Sequence, residues 1–131
     1  MFNATNYLIT IVELKAYIKD AETVFPQDER TELVNFLAEH SELGDIIPGS
    51  GGIRKIRWRS RNQGKRGGAR VICYFHDLNM PVFLLAVYRK GEKINLTAGE
   101  LKVLSQLVDS LVSHYLTPKW AKIVCLTNEA S

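Results

Sequence analysis

Apolar residues recur with different periods in the two halves of this 131-residue chain. The run Tyr7-Leu8-Ile9-Thr10-Ile11-Val12 is rich in β-branched side chains and predicts a short first strand. Leu14, Tyr17, Ile18 and Ala21 then follow at i, i+3, i+4 and i+7, the stripe of a helix. Phe25-Pro26 breaks that stripe. Gln27-Asp28-Glu29 next puts acids into the first turn of a second helix, with Leu33, Val34, Phe36 and Leu37 as its apolar face. Gly44 closes this region, and Pro48-Gly49-Ser50-Gly51-Gly52 demands a turn.

After that turn the period shortens to two. Ile53–Arg59 reads as a strand, Ser60–Gly68 as a glycine-rich basic loop and Ala69–Phe75 as a second strand. His76–Pro81 is a turn, and Val82–Tyr88 a third strand. Short, turn-rich links predict an antiparallel meander. Thr97-Ala98-Gly99-Glu100 is a capping-box pattern with Leu96 and Leu101 at staple positions. The helix it opens aligns Leu101, Leu104, Val108, Leu111 and Tyr115. The expected fold is α+β: a small antiparallel sheet in the order β-α-α-β-β-β-α, with the helices packed on one face. Residues 1–116 form a single domain in this reading, and 117–131 a C-terminal extension carrying Trp120, Ile123, Val124 and Leu126.

Composition is that of an ordinary globular protein, 46% apolar and 24% charged. No leader pattern or membrane-length apolar run is present, and Cys73 and Cys125 make neither a metal cluster nor a disulfide framework. A buried, inert Cys73 and a cytoplasmic location are expected, without membrane contact or cofactor.

Charge changes the picture. Between Asp45 and Asp77 there is no acid, yet the stretch holds Arg54, Lys55, Arg57, Arg59, Arg61, Lys65, Arg66 and Arg70. These are eight of seventeen Lys and Arg. The nine others face fourteen Asp and Glu, so an island of +8 sits in a surround of −5. Such clustering costs self-repulsion and attracts polyanions. Along Ile53–Arg59, Lys55, Arg57 and Arg59 leave on one side while Ile56 and Trp58 leave on the other. Arg70 opens the next strand, and the last one runs into Tyr88-Arg89-Lys90. A basic concave sheet suits phosphate contacts, with Trp or Tyr free to stack on unpaired bases. His40, His76 and His114 are scattered and read as cap or surface residues, and no nucleophile triad, P-loop or dinucleotide motif is found.

The runs Leu43-Gly44-Asp45, Gly49-Ser50-Gly51-Gly52-Ile53-Arg54-Lys55-Ile56-Arg57 and Gly64-Lys65-Arg66-Gly67-Gly68-Ala69-Arg70-Val71-Ile72-Cys73-Tyr74-Phe75, with Val82–Glu92 and Leu96-Thr97, resemble the RelE/HigB group of bacterial toxins, nearest its HigB-like branch. The resemblance spans roughly Asp28 to Tyr115. It implies a ribosome-dependent mRNA endonuclease in which the RNA 2′-hydroxyl attacks the adjacent phosphate, without metal. Such a toxin is silenced by a cognate antitoxin, here of the helix-turn-helix, HigA-like kind, and meets operator DNA only through it. By position Lys55 and Arg57 match the family's Lys-x-Lys/Arg strand. Lys55 is the candidate proton acceptor. Arg57 and Arg70 would hold the scissile phosphate, Lys90 would serve the leaving group, and Tyr88 would stack on a base or share that task. Arg54, Arg59, Arg61, Lys65, Arg66 and Arg89 complete the expected RNA and ribosome contacts. The family's tyrosine near the C-terminal helix has no counterpart in Asn95–Glu100. Two other readings compete: a ParE-like gyrase inhibitor and a noncatalytic nucleic-acid-binding module.

Overall fold

The computed structural model describes residues 8–59, 68–93 and 95–117. Their elements are β1 (Ile11–Glu13), α1 (Lys15–Val24), α2 (Gln27–Glu39), β2 (Asp45–Ile46), β3 (Ile53–Trp58), β4 (Ala69–Tyr74), β5 (Val82–Arg89) and α3 (Ala98–Leu116). One five-stranded sheet has the order β1-β5-β4-β3-β2. The expected meander β3–β4–β5 is antiparallel throughout. Two features were not expected. β1 joins the sheet edge parallel to β5, Ile11 beside Val82, so the sheet is mixed. A two-residue β2 pairs with the start of β3.

The sheet is covered on both faces, where the sequence reading put all helices on one. Tyr17 and Ala21 of α1 and Leu33 and Leu37 of α2 bury themselves against Ile56, Val71, Cys73 and Leu84. Leu104, Val108 and Leu111 of α3 pack on the opposite side, against Ile53, Ile72, Phe83 and Leu85. The physical reason lies in β5. Val82, Phe83, Leu84 and Leu85 are all buried in succession, and a strand apolar on both sides requires a layer on each. Each such side chain contributes about 1.5–3 kcal/mol when fully buried.

Three local devices set the geometry around the sheet's basic end. Gly44 has φ +97°, and a Cβ there would stand 2.8 Å from Ile56 Cγ1 and 2.9 Å from the Lys55 carbonyl. Only glycine lets the chain pass so close to β3, and Asp45 follows directly. Ser50 Oγ donates to the Ile47 carbonyl at 2.6 Å and accepts from the Ile53 N–H at 3.0 Å, closing the turn into β3. Finally, α3 opens with a complete capping box: Glu100 N–H donates to Thr97 Oγ1 while the Thr97 N–H donates to the Glu100 carboxylate.

A register shift in β4–β5 matters most. Ile72 pairs with Ala86 but Cys73 with Leu84, so Leu85 is an extra residue in β5. Phe83, Leu85, Ala86 and Tyr88 consequently belong to the α3 side. Strict alternation would have sent Tyr88 the other way, with Val82 and Leu84.

Candidate active site

Arg57, Arg70 and Tyr88 form one rung across three strands: Arg57 is paired with Arg70 in β3–β4, and Arg70 with Tyr88 in β4–β5. Paired residues share a face, and this is the α3 face, because Tyr88 packs there. Lys55 lies two residues before Arg57 on the same side. Arg57 is exposed, while Lys55 and Arg70 are half-buried. Lys55, Arg57 and Tyr88 line a cleft of about 380 Å³, which the start of α3 bounds through Asn95, Leu96 and Leu101 and the β2 edge through Asp45, Ile46 and Pro48. Lys55 Nζ donates to Asn95 Oδ1 at 3.0 Å, joining β3 to the segment before α3.

No carboxylate among the described residues lies within ion-pair distance of Lys55, Arg57 or Arg70. Asp45 stands opposite Lys55 in the register, yet makes no ion pair with it. Like charges directly opposite each other in a sheet destabilise it, so an anion held between Arg57 and Arg70 would relieve that repulsion. Tyr88 closes the rung. It is 8% exposed, and its hydroxyl is buried without a hydrogen-bond partner. Burial pushes its pKa above the usual tyrosine value, opposed by the positive charges of Arg70 and Lys93 and assisted by Glu100. At neutral pH the hydroxyl therefore keeps its proton, on a residue that lines the cleft.

Lys93 was not singled out by the sequence reading. Its Nζ lies 5.7 Å from the centre of the Tyr88 ring, within cation–π range, and is hydrogen-bonded to the Glu100 carboxylate. That bond, followed by the Thr97 backbone N–H, holds the Glu100 carboxyl below its ordinary value. Asn95 and Asp45 were likewise missed as cleft residues. Neither lies in a run of unusual composition. For Asn95 the only available signal was its place just before the capping box.

The other expected residues are dispersed. Arg54 leaves β3 on the α1/α2 side and donates to the carbonyls of Glu42 and Gly44 at 2.9 and 3.3 Å. Arg89 pairs with Glu92 at 2.9 Å and hydrogen-bonds the Thr23 carbonyl. Lys90 extends the ladder through its N–H to Gly68 O at 3.2 Å, with its side chain exposed and outside the cleft lining. Arg59 is exposed just beyond β3, and Arg61, Lys65 and Arg66 lie outside the described residues.

His40 accompanies the α2 C-terminus with Nδ1 3.0 Å from the Phe36 carbonyl. His76 is next to Tyr74 and Asp77 beyond β4. His114 is exposed late on α3. They share no site. Cys73 is fully buried, and desolvation pushes its thiol up to about 12. Among the described residues no group of three or more His, Cys, Asp or Glu is arranged to hold a metal ion, and no helix is long and apolar enough to cross a membrane.

No family model matches the chain. Among solved structures it is similar to a mutant of the E. coli toxin RelE in the free state, at 16% sequence identity and a TM-score of 0.49, over 66% of this chain and 88% of that one.

Proposed function

We propose that this protein is a toxin of the RelE/HigB type, nearest the HigB-like branch, that cuts mRNA on the ribosome and is silenced by a cognate antitoxin of the helix-turn-helix, HigA-like kind. The observation that carries this reading is the Arg57–Arg70–Tyr88 rung beside Lys55, whose cations are ion-paired with no carboxylate among the described residues and of which Lys55, Arg57 and Tyr88 line one cleft. The motif resemblance over Asp28 to Tyr115 supports it independently.

In this reading the RNA 2′-oxygen attacks the adjacent phosphorus and the bond from phosphorus to the 5′-oxygen breaks. The products are a 2′,3′-cyclic phosphate and a free 5′-hydroxyl. Lys55 accepts the 2′-hydroxyl proton, and its hydrogen bond to Asn95 holds it toward the cleft. Arg57 and Arg70 bear on the phosphoryl oxygens, whose charge grows in the transition state, each through a planar fork of N–H donors. Tyr88, kept protonated by burial, delivers a proton to the departing 5′-oxygen. Lys90, just beyond the strand that carries Tyr88, adds positive potential. Arg54, Arg59, Arg61, Lys65, Arg66 and Arg89 supply ribosome contacts, those of Arg54 and Arg89 limited by their internal hydrogen bonds.

The test is Arg70→Gln, assayed for growth arrest on induction and for mRNA 5′-ends in a reconstituted translation system. Loss of one such donor slows cleavage by roughly 10²–10³-fold, with thermal stability retained. Undiminished cutting would remove the proposal. Growth arrest with uncut mRNA and inhibited gyrase would favour the ParE-like reading instead.

A further inference from the structure

Two groups in the cleft, Asp45 and the amide donors of Asn95, take no part in proton transfer or phosphate binding, and their hydrogen-bonding characters are opposite. Asp45 faces Lys55 across β2–β3, so both side chains leave the sheet on the same side. Asp45 lines the cleft, and its carboxylate makes no hydrogen bond or ion pair among the described residues. An ionised carboxylate only accepts. Asn95 accepts from Lys55 through Oδ1 at 3.0 Å. With Oδ1 taken up by the Lys55 Nζ donor, the two donors on Nδ2 face away from Lys55. Apolar residues lie beside these polar edges, among them Pro48, Leu96 and Leu101. An aliphatic slot edged by an acceptor-only group and an amide donor fits a flat ring with polar edges.

We infer that this slot is a base subsite for one unpaired guanine of the RNA. Guanine N1–H and N2–H would donate to the two oxygens of Asp45, and O6 would accept from Asn95 Nδ2, while the adjoining phosphate lies on Arg57. Guanine is the one RNA base with two neighbouring donors on its Watson–Crick edge, the pattern a carboxylate matches bidentately. Adenine and cytosine present a single exocyclic amine next to an acceptor, and uracil one ring N–H between two acceptors. Unpaired bases are the usual carriers of sequence information in RNA recognition. The cleft, about 380 Å³, falls in the roughly 300–1,000 Å³ range of small-ligand sites. Asn95 then serves twice: one end of its amide holds Lys55 and the other reads the base. The inference rests on reading the cleft as a ribonuclease site, but base recognition is separable from cleavage.

The test titrates 5′-GMP, AMP, CMP and UMP into the full-length protein and into Asp45→Asn and Asn95→Ala variants, followed by NMR shifts or calorimetry. GMP should bind at least about tenfold tighter than the other three, the discrimination expected of one good bidentate contact. Asp45→Asn should bring the four to equal affinity while phosphate-driven binding persists, and Asn95→Ala should weaken GMP most. Equal affinities in the unmodified protein would overturn the subsite, as would a GMP preference that survives Asp45→Asn. If GMP selectivity depends on Asp45 but mRNA stays uncut on the ribosome, the subsite stands and the nuclease reading falls. If mRNA is cut while the four nucleotides bind alike, the subsite alone falls.

Discussion

At the scale of single residues, Tyr88 shows a conflict between folding and chemistry. Its hydroxyl is buried without a partner, and leaving a buried polar group unsatisfied costs about 1–3 kcal/mol. A residue kept for stability alone would be better as phenylalanine. Tyr88→Phe should therefore raise the melting midpoint while slowing mRNA cleavage roughly 10²–10⁴-fold, the usual contribution of a positioned acid; calorimetry and product mapping on the same preparation check both halves. A variant that loses stability and keeps its activity would assign Tyr88 to packing. Because burial raises its pKa, acid catalysis through this hydroxyl should not decline between pH 7 and ~10, the ordinary tyrosine value. Cations were less legible residue by residue. The count of eight was plain in the sequence, but Arg54 sits one position from Lys55 and alternation sends it to the opposite face, to backbone carbonyls rather than a ligand.

At the scale of elements, the strands β3 and β4, the turn before them and the capping box of α3 were all readable, because each follows from a local pattern: period two, obligatory glycine, Thr97 with Glu100 three residues on. Two features were not. That α3 would cover the second face was implied by the unbroken apolar run of β5, but an apolar run does not say which helix takes which side. The extra residue at Leu85, which turns Tyr88 toward Arg70, leaves no mark on composition, since every residue around it is apolar. Two predictions belong here. Arg57 and Arg70 are like charges directly paired, so Arg57→Gln should stabilise the empty protein by about 0.2–1 kcal/mol, and inorganic phosphate should raise the melting point of the parent more than that of the variant. The start of α3 responds to acid. The Glu100 carboxyl is lowered in the folded state by Lys93 and the Thr97 N–H, so its stabilisation is complete above the unfolded-state value of ~4.3 and lost as pH falls through the lower folded value. Amide exchange at residues 97–101 should quicken in that acid range before the sheet opens, and Glu100→Gln should abolish the pH dependence.

For the whole molecule, the sequence shows a basic island in an acidic chain, and the fold divides that island by face. Lys55, Arg57 and Arg70 gather on the α3 side, while Arg54 points to the α1/α2 side and, with Arg89, hydrogen-bonds within the protein. If RNA binding is electrostatic over the entire island, every cation should count alike. If the α3 face is the binding surface, they should not. The salt dependence of affinity separates these cases, because each phosphate contact on a single strand contributes about 0.7 to the slope of log K against log salt. Arg57→Gln and Arg70→Gln should each reduce that slope by about this amount in a single-stranded RNA titration. Arg54→Gln should leave the slope unchanged and instead lower stability, since its carbonyl contacts fix the segment from Glu42 to Gly44 that carries Asp45 to the cleft edge. Equal slope changes for all three variants would mean that the island acts as a diffuse field and that the two faces are not functionally distinct.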